Sequence, residues 1–216
     1  MVRTRVLPLL GLLLLTACSD SNDGNDGSGN PDPPDPVRGD LIGEATFVAS
    51  YSPDELLALA GAGDLTELLL EEVLTPDCAI DVYHYEYQTV DPAGDITPAS
   101  AALMVPNDAA TACQGERPIA LYAHGTNTDE AFDIADLENN SEGLFVAAVL
   151  AAEGYIVVAP NYVGYDSSTL DYHPYLNGDQ QSKDMIDALA AARSSLPAPD
   201  SSDTTDDGRL FITGYS

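Results

Sequence analysis

Apolar residues follow two rhythms along the chain. In the first, "EATFVAS" reads as a strand, and "AIDVYHYEYQTV" alternates polar with apolar residues and is rich in β-formers. The turn "DPAGD" and the run "TPASAALMVP" come next, which predicts an antiparallel hairpin. Before the hairpin, Ser52-Pro53-Asp54-Glu55 is a helix-start signal. A hydroxyl at the cap can accept a free amide, and an acid three residues on can reach back to it. Helical apolar spacing then runs through "LLALAGAGDLTELLLEEVL", interrupted at Gly61 and Gly63.

The second rhythm is different. "PIALYAHG", "YIVVAP" and "RLFITG" are continuous apolar runs of strand length. "SEGLFVAAVLAAEG" and "DQQSKDMIDALAAARSSL" between them are helical, the second with Met185, Ile186, Leu189 and Ala192 on one side. Short strands buried on both faces and alternating with helices imply a parallel sheet with crossover helices. The expected class is α/β: an antiparallel hairpin, then parallel strands. No internal repeat is visible.

The N-terminus is of another kind. "MVRTRVLPLLGLLLLTAC" begins with Arg3 and Arg5, and its apolar stretch from Val6 to Ala17 is too short to span a bilayer, so residues 1–17 read as a signal peptide. Leu15-Thr16-Ala17-Cys18 resembles the lipobox of bacterial lipoproteins. That resemblance implies lipidation at Cys18, export and anchoring in the cell envelope. Ser19 inclines the sorting toward the outer membrane. An ordinary signal peptide with an incidental Cys, releasing a secreted protein, is the alternative. Residues 18–40, rich in Asp, Asn, Gly, Ser and Pro, carry too little apolar surface to pack and read as a disordered acidic tether. The folded domain is expected over residues 41–216.

The formal net charge of −29 excludes nucleic acid and anionic lipid headgroups as partners. With Cys18 assigned to lipid, Cys78 and Cys113 remain as a disulfide pair in an oxidising compartment, or else as two separate thiols. No metal-ligand spacing involving Cys appears, and "DSSDTTDDGR" lacks the closing Glu of a calcium loop, so no metal or cofactor is expected. "NNSE" around Asn139 reads as a loop before a helix.

In a parallel sheet, sites form beyond the carboxyl ends of the strands. Three segments arrive there: His124-Gly125-Thr126, Asn161-Tyr162-Val163-Gly164-Tyr165 and Gly214-Tyr215-Ser216. In this order and spacing, "LYAHGT", "GYIVVAPNYVGY" and "LFITGYS" resemble the α/β-hydrolase family, above all its secreted bacterial and fungal lipases and esterases. The resemblance covers residues 79–216. It implies that Gly214 and Tyr215 begin a strained strand-to-helix elbow and that Ser216 is the nucleophile, forming an acyl-enzyme with an ester. His124, Gly125, Thr126 and Asn127 match the oxyanion loop, with a backbone donor at Thr126 or Asn127.

The remaining residues take lesser roles. His124 is read as structural, because in this family the triad follows the order Ser, acid, His. Tyr162, Tyr165 and His173, in "NYVGYDSSTLDYHPYL", are candidates for a pocket wall or lid. His84 falls in an alternating strand and reads as a polar-face residue. The triad acid and His are expected beyond Ser216, so the chain is expected to be truncated and, alone, inactive and poorly stable with an exposed apolar edge. Two alternatives stay open: a serine peptidase on the same fold, and a non-catalytic surface lipoprotein that binds a ligand. Oligomeric state is left undetermined.

Overall fold

A computed structural model describes residues 35–62, 75–107, 113–198 and 203–216. Its first strand, β1 (Leu41–Tyr51), pairs antiparallel with β2 (Ile80–Val90), and β2 with β3 (Ile96–Pro106). The β2–β3 hairpin keeps register from Ile80↔Pro106 to Val90↔Ile96. Its turn is fixed by Asp91, whose carboxylate accepts the Ala93 and Asp95 amides at 2.8 and 3.0 Å. Helix α1 (Pro53–Ala62) opens on the capping box expected from sequence. Glu55 accepts the Ser52 amide at 2.8 Å, and Ser52 Oγ accepts the Glu55 amide at 3.3 Å. The rest of the expected helical stretch, residues 63–74, lies outside the described residues.

The second half alternates as its apolar runs require. Strand β4 (Glu116–Ala123) leads through a long loop to α2 (Ser141–Val149), which starts at Asn140, whose side chain accepts the Gly143 amide at 2.9 Å. A short 3₁₀ turn, Ala151–Glu153, ends at Gly154 with φ of 92°, so the single helix expected up to that glycine is a helix and a turn. Strand β5 (Ile156–Pro160), helix α3 (Gly178–Ser194) and strand β6 (Thr205–Gly214) complete the order.

The six strands form one sheet in the order β1-β2-β3-β5-β4-β6. β5 is antiparallel to β3 and parallel to β4, which is parallel to β6. Alternate side chains feed two cores. Ile80, Val82, Met104, Val157 and Ala159 pack beneath α1 and α2. Tyr83, Tyr85, Leu103, Ile156 and Val158 pack beneath α3. Cys78 and Cys113 are bonded to each other.

Two expectations need correction. Ile186 is 62% exposed, and the buried face of α3 carries Gln180, Asp184 and Asp187 with Ala188, Leu189, Ala191 and Ala192. The polar residues are tolerated because they bond one another and Thr89. "RLFITG" forms its strand at the sheet edge, where Phe211 and Ile212 are 50% and 71% exposed, the exposed apolar edge that was expected. The expected tether does not extend unstructured to residue 40. Gly39 and Asp40 bond to Gln88 of β2, and Arg38 forms a bidentate pair with Asp187. The expected signal peptide and Cys18 lie outside the described residues.

Candidate active site

Sheet register sets the site. β4 and β6 run parallel with Ala123 opposite Gly214, so the segments that leave their carboxyl ends depart side by side. The Tyr215 amide donates to the Ala123 carbonyl at 3.1 Å, carrying the pairing one residue past the strand. Two glycines here sit in close contact, Gly214 with backbone and Gly125 with a side chain. A Cβ at Gly214 would lie 2.7 Å from the Ala123 carbonyl oxygen, and one at Gly125 would lie 2.7 Å from the Tyr215 ring. Ser216 has φ of 114°, a conformation that L side chains rarely adopt and one compatible with a strained elbow.

Every segment expected at this edge arrives. His124, Thr126, Tyr162, Tyr165, His173 and Ser216 line one cavity of about 270 Å³, with Gly125 and Tyr215 also in its wall. A neighbouring cavity of about 430 Å³ shares Thr126, Tyr165, His173 and Tyr175 and adds Asn127 and Tyr172. The tyrosine-rich stretch after β5 therefore walls the space beside Ser216.

The loop after β4 is held at three places. The Gly125 amide donates to Glu142 Oε1 at 2.8 Å, and the same oxygen accepts the Tyr122 hydroxyl at 2.8 Å. The Tyr165 hydroxyl donates to the Asn127 carbonyl at 2.6 Å. Asn127 Oδ1 accepts the Asp129 amide at 2.8 Å. The Gly125 amide is thus committed to Glu142.

Two histidines neighbour Ser216 in this cavity. His124 is buried and packs between Phe132 and Tyr162, at ring-centroid distances of 4.4 and 4.3 Å. Its nitrogens face the Gly125 and Asn161 carbonyls at 2.7 and 3.2 Å. Burial lowers its pKa, so the ring stays neutral. His173 Nδ1 donates to the Val163 carbonyl at 2.9 Å. His173 is 4.5 Å from the Tyr165 ring, centroid to centroid, so it belongs to the aromatic wall.

The aromatic loop is strained and pinned from behind. Tyr162 and Gly164 have φ of 67° and 88°, and a Cβ at Gly164 would lie 2.2 Å from the Tyr172 carbonyl oxygen. Asp184 of α3, wholly buried, accepts the Val163 amide at 3.2 Å, Gln180 Nε2 at 2.8 Å and the Thr89 hydroxyl at 3.1 Å. Burial pushes its carboxyl up to about 7 in spite of these donors. Sequence reasoning missed both Glu142 and Asp184. An acid in the first turn of a helix, or one inside a helical stripe, carries no sign of its long-range partner.

No family profile and no curated protein matches the sequence. Solved structures do match. The rice cell wall degrading esterase LipA from Xanthomonas oryzae aligns with 83% of this chain and 42% of its own, at 28% identity and a TM-score of 0.67. The fold is that of the α/β-hydrolases. A ligand-bound form of LipA matches at 29% identity and a TM-score of 0.68. A protein from Legionella pneumophila classed as a hydrolase shares the fold at 24% identity and a TM-score of 0.64, over 81% of this chain and 43% of its own. The chain thus spans less than half the length of these structures and matches them as a partial α/β-hydrolase fold, with the esterase LipA among its neighbours. Among the described residues no helix is long and apolar enough to cross a membrane.

Proposed function

We propose that the chain carries the nucleophile half of a serine ester hydrolase. Ser216 attacks the ester carbonyl and holds the acyl group, and the Thr126 or Asn127 amide steadies the oxyanion. Support comes above all from the β4–β6 register, which sets Gly214-Tyr215-Ser216 against His124-Gly125-Thr126 at the rim of an aromatic cavity. Among the described residues no hydrogen bond joins Ser216 to a histidine; both nitrogens of His124 and Nδ1 of His173 face backbone carbonyls. Cys18 anchors the protein to the cell envelope through lipid, and its charge of −29 keeps it from nucleic acid.

The reading is tested with a panel of p-nitrophenyl esters on protein isolated from the native host. Hydrolysis should occur and should vanish in Ser216→Ala. Undiminished turnover in that variant would remove Ser216 as nucleophile. Covalent labelling of the isolated 216-residue chain by a fluorophosphonate, at the rate of an active hydrolase, would show that the base lies within it.

A further inference from the structure

Three side chains from distant parts of the chain meet away from Ser216. His84 stands midway along β2, Asp133 lies in the loop between β4 and α2, and Asp166 lies in the loop between β5 and α3. One donor atom from each, a ring nitrogen and two carboxylate oxygens, falls within 4.8 Å of the other two. His84 Nε2 and Asp166 Oδ2 are 2.7 Å apart.

Neutral donors aim the carboxylates from behind. The Ser100 hydroxyl donates to Asp166 Oδ2 at 2.6 Å, and the Ala135 amide to Asp133 Oδ1 at 2.9 Å. Asn161, wholly buried, donates to both Asp133 Oδ1 and Ser100 Oγ, at 3.1 and 3.0 Å. The ion pairs of Arg38, Lys183, Arg193 and Arg209 all go to other acids. Cations are scarce throughout, with 7 Lys and Arg against 36 Asp and Glu.

We propose that His84, Asp133 and Asp166 bind a divalent transition-metal ion, Zn²⁺. One imidazole nitrogen and two carboxylate oxygens suit zinc, whereas calcium and magnesium take oxygen alone. Bonds of about 2.0–2.2 Å at tetrahedral angles set donors roughly 3.3–3.6 Å apart, so the ion would part His84 from Asp166 and draw in any donor that lies farther off. The ion replaces the proton shared by His84 and Asp166, which leaves to solvent. Ser100 and Asn161 remain as the outer ring of donors that holds the ligands in place.

Zinc here braces β2 to both loops that wall the Ser216 cavity. Asp166 directly follows Tyr165, and Asn161 also meets His124 through its carbonyl. The proposal does not depend on the hydrolase reading. The sequence hides the site because its ligands lie 49 and 33 residues apart, on three separate elements.

The test is calorimetric titration of the 216-residue chain with Zn²⁺ in metal-free buffer, in a Cys18→Ser background that removes the free thiol. One equivalent should bind. His84→Gln and Asp166→Asn should each weaken binding at least about tenfold, and His173→Ala should leave it unchanged. Co²⁺ in place of zinc should give d–d absorption without thiolate charge transfer. Should His84→Gln fail to fold, as judged by circular dichroism, Asp166→Asn decides, since its amide oxygen still accepts from Ser100. The proposal is overturned if the parent shows no saturation at one equivalent. It is equally overturned if a folded His84→Gln or Asp166→Asn binds as tightly as the parent, or if His173→Ala abolishes binding.

Discussion

Replacing Asp184 with Asn should flatten the pH dependence of folding stability. In the folded chain this carboxyl is wholly buried and its pKa is raised to about 7. In the unfolded chain it returns to about 3.9. Between those values the folded state keeps the proton and the unfolded state releases it. Stability from this group is therefore fully present below about pH 4 and is lost as pH rises through 7. At pH 5 about 1.5 kcal/mol has gone and at pH 8 about 4 kcal/mol, a loss of about 2.5 kcal/mol across the interval. Other acids also repel one another as pH rises, so the informative quantity is the difference between the two proteins. Urea midpoints at pH 5 and pH 8 supply it. The parent should lose about 2.5 kcal/mol more than Asp184→Asn over that range. The amide presents a donor where the Val163 amide needs an acceptor, which lowers the variant's stability at every pH and cancels from the comparison. Equal losses in the two proteins would mean that the buried carboxyl is ionised throughout, and the reasoning would fail.

Removing the Cys78–Cys113 bond, which closes a separation of 35 residues, should cost about 3–4 kcal/mol, read as the shift in urea midpoint of the Cys78→Ala/Cys113→Ala double variant. Gly164→Ala combines a φ of 88° with a Cβ 2.2 Å from a backbone oxygen. It should lower the thermal midpoint by roughly 4–8 °C, and an unchanged midpoint would mean that the loop is not held as described. Glu142→Ala strands the Gly125 amide and the Tyr122 hydroxyl and should destabilise by about 1–3 kcal/mol, while Glu142→Gln, which keeps an acceptor oxygen, should recover most of that loss.

Element type was the most legible level of the sequence. The alternation of "AIDVYHYEYQTV" and the unbroken run "YIVVAP" each have one strand solution, and burial on one or both faces follows from the period. The meeting of Ser216 with His124-Gly125-Thr126 could be foreseen, because parallel strands deliver their carboxyl ends to one edge. Polar burial could not. Asp184 and Ile186 sit two residues apart on α3, and hydropathy alone puts Ile186 inside. The structure reverses them because Thr89, Gln180 and the Val163 amide supply bonds from three other places. Glu142 and the His84 cluster were hidden for the same reason. Each draws its role from partners that chain-local patterns do not link.

The contact between Gly125 and Tyr215 bears on how this protein can drift. The ring sits where a side chain at 125 would begin, with Cδ1 2.7 Å and Cε1 3.1 Å from that point. The two motifs are therefore a single unit of inheritance. A larger residue at 125 requires the ring at 215 to turn aside or to be cut back. In a double-mutant cycle, Gly125→Ala should cost at least about 1 kcal/mol more beside Tyr215 than beside Ala at 215, and strictly additive effects would show that the positions vary freely.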